Sequence, residues 1–163
     1  MPERTQDAIN KGAQVLFQPR FEWGAYTCIC DIVSFTGDNE VDLYEIKAST
    51  SVKVEHEFDL AFQTAVLEGT GLKVRYMFVI HVNNQYIRRG AIEADKITHT
   101  EDVTAKVRKR SEATAKYMPL ATSVAQQTTM PEQMKKASEE AVQYFWQGVL
   151  VQVRTLLTTA AVQ

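Results

Sequence analysis

The sequence predicts an α/β protein with a mixed central sheet, followed by C-terminal helices. Segments in which apolar and polar residues alternate, separated by Gly, Pro and Asn, indicate three consecutive strands within residues 14–48. An amphipathic helix is predicted at 55–68, and a fourth strand at Lys73–Val82. With a short helix at the start, the predicted order is α-β-β-β-α-β, then helices.

The first helix and the first three strands follow from local patterns. Gly12 ends a short polar helix, and Pro19 marks an edge or a bulge in the first strand. Gly24 turns the chain into the second strand, and a turn at 36–40 precedes the third. The predicted elements are a helix at 2–11 and strands at 14–23, 26–35 and 41–48.

The remaining elements are predicted in the same way. Gly69 ends the helix at 55–68. After Lys73–Val82, two asparagines turn the chain into a short hairpin arm at 85–88. The later predicted segments are a helix at 101–117 that Pro119 ends, a polar connector at 121–129 and a long helix at 131–158.

We therefore expect a core at residues 1–92 and a helical C-terminal arm at 93–163. The last helix has a broad apolar stripe, which predicts that it packs on the core or on a partner. A second copy of the chain and a missing C-terminal domain are the partners that we consider.

Composition narrows the classes of function. Lys and Arg number 18 against 20 Asp and Glu, a formal charge of -2, so an obligate polybasic nucleic-acid binder is excluded and polyanion contacts need a local basic surface. No apolar run reaches the roughly 18 residues of a membrane span, and the polar start does not resemble a signal peptide. We expect a cytoplasmic protein without membrane contact, in which Cys28 and Cys30 are small buried hydrophobes.

Charged residues interrupt an apolar face of the predicted hairpin around Asp38. If its strands pair symmetrically, the numbers of opposed residues add up to 76. This register places Asp31 opposite Glu45, Val33 opposite Leu43 and Ile29 opposite Lys47.

Opposed carboxylates repel each other unless a proton or a cation lies between them. Magnesium would resolve the conflict with oxygen ligands, and Lys47 could orient or deprotonate a water or offset charge on a phosphate. The alternative is an edge hairpin with an ordinary Lys–carboxylate pair.

These residues carry a resemblance to a known family. Asp31, then Glu45-Ile46-Lys47, then Gln63 in the following helix resembles the D…(D/E)xK…Q pattern of RecB-type PD-(D/E)XK nucleases. The stretch from Tyr44 to Lys53 is similar to a bacterial and phage RecB-like group. The resemblance covers about residues 8–110 and implies a restriction-endonuclease-like αβββαβ core.

The resemblance also implies roles for individual residues. Asp31 and Glu45 would bind Mg²⁺ or Mn²⁺ together with the Ile46 carbonyl, Lys47 would be the catalytic lysine, and Gln63 would support the site. The implied reaction is hydrolysis of DNA phosphodiester bonds by a metal-activated water. RecB-type proteins often have an aromatic residue four positions after the glutamine; Leu67 occupies that position here.

Basic residues near this pattern are candidates for nucleic-acid contact. We assign Lys53, His56, Arg88 and Arg89 to that role, with the basic run at 106–110 as a further candidate or a solvated helix face. His56 and Asp59 share a helix face with Gln63, and a solvated face is the alternative for both.

Two other functions stay open at this stage. One is a catalytically silent module that binds nucleic acid or protein, and the other is a structural subunit that docks through its last helix. The pattern does not distinguish cleavage at ends from internal cleavage, or single-stranded from double-stranded substrates.

Overall fold

The computed structural model describes residues 2–37 and 39–126, and the chain divides into two compact units, Met1–Ser111 and Glu112–Gln163. The long helix predicted at 131–158 and residues 127–129 of the predicted connector lie outside the described residues. The described elements are α1 (Glu3–Asn10), β1 (Val15–Phe17), β2 (Arg20–Trp23), β3 (Tyr26–Ile29), β4 (Ile32–Gly37), β5 (Glu40–Lys47), α2 (Val54–Gly69), β6 (Lys73–Val82), α3 (Ala94–Ile97), β7 (Thr98–Asp102) and α4 (Thr104–Ala125).

A mixed five-stranded sheet in the order β1-β4-β5-β6-β7 forms the centre of the first unit. β5 and β6 are parallel and connected by α2, whereas the other neighbouring strands are antiparallel. Val33, Leu43 and Met77 are fully buried on one face of this sheet, toward α2. The predicted α/β class with a mixed sheet is therefore confirmed.

The first two predicted strands form one hairpin that is bent in the middle. Paired residues add up to 49 in both β1–β4 and β2–β3, as in Leu16 with Val33 and Phe21 with Cys28, so the register continues through the bend. At the bend, the Cys30 N–H donates to the Pro19 carbonyl at 3.0 Å. The strands predicted at 14–23 and 26–35 are thus each split in two.

The bend changes one predicted pair. Ile29 lies in β3, where it pairs with Arg20 in a separate two-stranded sheet, and it does not lie opposite Lys47. The prediction was wrong because it continued the second strand through Cys30 and Asp31, where the hairpin leaves the central sheet and packs its outer half on α2.

The chain after β6 also differs from the prediction. Residues 85–88 form a loop and not a hairpin arm, and the strand that pairs antiparallel with β6 is β7, Thr98–Asp102. Residues 98–102 therefore belong to the sheet, although they were predicted within the helical arm. The helix expected from residue 101 begins at Thr104, whose N–H donates to Asp102 Oδ1 at 2.9 Å.

α4 continues through Pro119 to Ala125, so the predictions that this proline ends the helix and that a connector begins at residue 121 were wrong. A proline inside a helix leaves a carbonyl of the preceding turn without its N–H donor. None of the described helices is long and apolar enough to cross a membrane.

Candidate functional site

The predicted site residues of β5, Glu45 to Lys47, lie beyond the Ile32–Tyr44 pair, where the pairing of β5 with β4 stops. The four pairs from Ile32–Tyr44 to Phe35–Val41 have the predicted register. Asp31 directly precedes the first of these pairs, and its Oδ2 accepts a hydrogen bond from the Ile46 N–H at 2.7 Å. The Asp31 side chain thereby contacts the backbone of β5 beside Glu45, although it forms no ladder pair there.

The Ile46 carbonyl faces the same edge of β5. In an extended strand the N–H and C=O of one residue point to the same neighbour. Because the N–H of Ile46 points to Asp31, its carbonyl oxygen points to that side as well. Asp31 and the backbone of Ile46 thus place two kinds of oxygen donor at one strand edge.

Glu45 and Lys47 point to the face that α2 covers, and they form an ion pair. Lys47 Nζ lies 2.7 Å from Glu45 Oε1 and 2.6 Å from Asp59 Oδ2 of α2. Glu45 is buried with 7% of its surface exposed, whereas the side chains of Lys47 and Asp59 are partly exposed. Lys47 therefore links a buried carboxylate of the sheet to a carboxylate at the surface of the helix.

Gln63 supports Glu45 from the helix, at the position that the sequence predicted. Its Nε2 donates to Glu45 Oε2 at 2.9 Å, and the side chain is 1% exposed. No donor within the described residues reaches its buried Oε1. Buried acceptors are nearly always hydrogen-bonded, so this oxygen fits a water molecule held in the site.

Burial and neighbouring charges shift the pKa values of three groups in the site, Glu45, Lys47 and His56. Burial raises the pKa of Glu45 and the carboxylate of Asp59 raises it further, against the hydrogen bonds from Lys47 and Gln63. Burial lowers the pKa of Lys47, but the charges and hydrogen bonds of Asp59 and Glu45 outweigh it and raise this pKa to about 12. Burial lowers the pKa of His56, as does the nearby charge of Lys47.

The two cysteines are buried free thiols behind the site, as predicted. Their sulfurs lie 3.9 Å apart. The hydrogen bond with Cys28 and burial raise the pKa of the Cys30 thiol, and the charges of Glu45 and Asp31 raise it further. Both cysteines are buried and contribute apolar packing.

The predicted nucleic-acid contacts have different environments. Arg88 and Arg89 are exposed in the loop after β6, where Arg88 Nε donates to the Gly90 carbonyl at 2.7 Å. Lys53 lies at the N-terminus of α2, with its ammonium 3.7 Å from Glu55. His56 is buried, and its Nδ1 accepts a hydrogen bond from the Lys53 N–H at 3.2 Å, so it caps the helix. Contact of these residues with nucleic acid stays a prediction.

Most of the basic run at 106–110 is occupied by ion pairs within the first unit. The partners are Glu101 for Lys106, Glu68 for Arg108 and Glu57 for Arg110. Contact of this run with nucleic acid stays a prediction.

Two residues, Asp59 and Gln18, contact the site more closely than their sequence pattern indicates. Asp59 was interpreted mainly as part of a solvated face, but it binds Lys47, and its spacing of four from Gln63 is the signal that placed both on one face. Gln18 was not considered at all, although its Nε2 donates to Asp31 Oδ1 at 2.6 Å. A register sum of 49 for the first hairpin would have placed Gln18 opposite Asp31.

The oxygen donors suit a hard divalent cation better than a soft one. Asp31, Glu45 and the Ile46 carbonyl supply carboxylate and carbonyl oxygens, which Mg²⁺ and Mn²⁺ prefer. Within residues 2–37 and 39–126, no group of three or more His, Cys, Asp or Glu side chains is arranged to hold a metal ion. Mg²⁺ commonly takes one or two carboxylates and completes its coordination with water and substrate oxygens.

Comparison with models of protein families, with curated proteins and with solved structures found no match to this chain.

Proposed function

We propose that this chain is a PD-(D/E)XK-type nuclease with a restriction-endonuclease-like core that hydrolyses DNA phosphodiester bonds. One observation carries the proposal. At one end of the sheet, Glu45 of β5 pairs with Lys47 and accepts a hydrogen bond from Gln63 of α2. Asp31 of the bent hairpin accepts the N–H of Ile46, the residue between Glu45 and Lys47. Three elements distant in sequence thus bring together the residues of the D…ExK…Q pattern.

Asp31, Glu45 and the Ile46 carbonyl would hold Mg²⁺ or Mn²⁺. When bound, such an ion activates water and offsets negative charge on the phosphate. The orphaned Oε1 of Gln63 supports this assignment, because it provides a buried acceptor for a water proton next to Glu45. The side-chain amide of Gln63 also donates a hydrogen bond to Glu45 and so orients its carboxylate.

Lys47 acts in this proposal as a positive charge. Its ammonium is held between Glu45 and Asp59, so the protein positions a cation beside Glu45, one of the carboxylates that would hold the metal ion. A fixed cation stabilises the charge that develops on phosphate oxygens in the transition state. Arg88 and Arg89, exposed beyond the C-terminal end of β6, would contact the DNA backbone.

A catalytically silent binding module is the second candidate. The ion pairs of Lys47 favour it, because a lysine between two carboxylates is also what a structural charge network contains. Such a module would bind DNA through the same exposed arginines and leave it uncut.

A cleavage assay on linear and circular DNA, single- and double-stranded, separates the two candidates. We expect cleavage in Mg²⁺ or Mn²⁺, none in chelator, and a loss of at least 100-fold for Lys47→Met. Lys106→Met is the matched control, because its ammonium pairs with the exposed Glu101. DNA binding without cleavage by folded protein on all four substrates would establish the silent module instead.

A further inference from the structure

Gln18 contacts Asp31 at two points across the bend of the hairpin. Its backbone N–H donates to the Asp31 carbonyl at 2.9 Å, and its side-chain Nε2 donates to Asp31 Oδ1 at 2.6 Å. The other carboxylate oxygen accepts the Ile46 N–H. Both carboxylate oxygens of Asp31 therefore accept hydrogen bonds, one from the segment between β1 and β2 and one from β5.

The backbone of Gln18 is in a conformation that its sequence disfavours. Its φ is +52°, in the left-handed region that residues other than Gly rarely adopt. It also precedes Pro19, and residues before proline prefer extended conformations. Among the described residues, Asn39 in the β4–β5 turn is the other non-glycine residue with positive φ, and asparagine tolerates it well.

Strained residues persist where the surrounding structure holds them, often at functional sites. Here the strained conformation directs the Gln18 amide at a carboxylate of the candidate site. A glycine at this position would adopt the same backbone without strain but would lose that hydrogen bond. The strain at Gln18 is thus accompanied by a side-chain hydrogen bond that glycine could not make.

We propose that Gln18 is a positioning residue, which orients the Asp31 carboxylate for a divalent cation; this inference rests on the proposed function. A carboxylate has about four lone-pair directions, and the donors from Gln18 and Ile46 occupy two of them. The carboxylate plane is then fixed, and the remaining lone pairs are available to the cation. Hydrogen bonds to a metal ligand commonly change metal affinity by about 10- to 100-fold.

The test is titration of the full chain with Mn²⁺ by calorimetry, without DNA. Gln18→Met keeps the side-chain length and the strain but removes the donor, whereas Gln18→Gly removes both the donor and the strain. We expect both variants to bind Mn²⁺ about 10-fold or more weakly than the wild type. We also expect the urea midpoint of Gln18→Gly to equal or exceed that of the wild type, because glycine relieves the strain.

Asn39→Gly is the matched control, since it makes the same backbone change in a turn at the other end of β4. Its Mn²⁺ affinity should equal that of the wild type. Unchanged or tighter Mn²⁺ binding by Gln18→Met and Gln18→Gly would overturn the positioning role and leave the nuclease proposal standing. Absence of Mn²⁺ binding by the wild-type chain would overturn both.

Discussion

Lys47 joins two carboxylates that come from different elements, and this contact decides which substitutions are informative. In the structure its ammonium lies within 2.7 Å of buried Glu45 and 2.6 Å of Asp59. Removing it leaves two neighbouring carboxylates without their shared cation.

We therefore expect Lys47→Met to reduce the free energy of unfolding at pH 7.5 by about 2 kcal/mol, since a buried charge loses its partner. The partial exposure of Lys47 and Asp59 keeps the loss below that of a fully buried pair. Urea unfolding in chelator measures it. Lys106→Met, which breaks an exposed pair, should change stability by less than about 0.5 kcal/mol. Equal losses in the two variants would contradict the account of the Lys47 network.

Glu45→Gln should make the metal-free protein more stable than the wild type at neutral pH. Burial and Asp59 raise the pKa of Glu45 above its ordinary value of 4.5, so the folded state retains this proton longer than the unfolded state. Wild-type stability from this group is present below pH 4.5 and falls as pH rises through the raised pKa. The variant lacks this titrating group, so its free energy of unfolding should increase relative to that of the wild type as pH rises through the raised pKa.

Urea unfolding from pH 4 to 8 in chelator tests whether Glu45→Gln is more stable than the wild type. Glu40→Gln is the control, for which the opposite change in stability is expected. Lys73 lowers the pKa of the exposed Glu40, so that carboxylate stabilises the fold above pH 4.5 and loses its effect as pH falls through the lowered pKa. Glu40→Gln should therefore be less stable than the wild type at neutral pH. A neutral-pH loss of stability in Glu45→Gln would show that its hydrogen bonds outweigh its burial.

At the scale of elements, the register of the β4–β5 hairpin was predictable from Ile32 to Phe35. Strand alternation was enough to place Val33 opposite Leu43, although the register shifts by one residue next to the turn, where Gly37 pairs with Glu40. The bend at Gln18 and Asp31 was not predictable from those rules, because Pro19 indicates an interruption but not its direction. The direction follows from packing of the outer hairpin on α2, a contact between segments far apart in sequence.

The prediction also failed at β7, where a strand formed in a segment that was predicted in part as helix. Its sequence, Thr-His-Thr-Glu-Asp, contains residues that begin a helix well, and helix was predicted from residue 101. The open edge of β6 offered backbone hydrogen bonds, and pairing with that edge determined the structure. The site residues on β5 and α2 were found because their signal is local spacing, whereas Gln18 depends on the bend.

The contact between α2 and the outer hairpin requires a glycine at the end of the helix. A Cβ on Gly69 would lie 2.1 Å from Cδ2 of Trp23, so any larger residue forces the indole to move. We expect Gly69→Ala to cost about 1–3 kcal/mol of stability through this overpacking. In a Trp23→Ala background the same change should stabilise the helix by up to about 1 kcal/mol, because Ala is the better helix former.

A double-mutant cycle of Gly69→Ala and Trp23→Ala, followed by urea unfolding, measures the coupling. The steric account requires that the effect of Gly69→Ala change sign between the two backgrounds. Additive effects would mean that the indole moves aside freely, and that the close approach has no energetic consequence for the hairpin.

At the scale of the whole molecule, a net charge of -2 means that DNA contact depends on a few local cations. Arg88 and Arg89 are exposed in the loop beyond β6, whereas much of the remaining basic surface of the first unit is paired with carboxylates. The proposal therefore assigns phosphate contact mainly to this loop. The candidate catalytic residues and this loop belong to the same compact unit.

Replacing both Arg88 and Arg89 by Ala should weaken DNA binding and lower the slope of log affinity against log salt by about 2, one for each phosphate contact. Fluorescence anisotropy with labelled DNA in chelator measures this at several salt concentrations. Lys73→Ala is the control, because Lys73 begins β6 at its opposite end and pairs with Glu40. An unchanged slope in the double variant would place the DNA on another surface.

The nuclease proposal depends most directly on the carboxylate of Asp31. Single-turnover cleavage of DNA in Mg²⁺ should be compared for the wild type, Asp31→Asn and Asp42→Asn, each confirmed to be folded. Asp42 is a matched control, since its buried carboxylate lies on the same strand as Glu45 but pairs with Arg75 away from the site. We predict a loss of at least 100-fold for Asp31→Asn and a change below about threefold for Asp42→Asn. Equal rates for the two variants would contradict a metal-dependent reaction at Asp31.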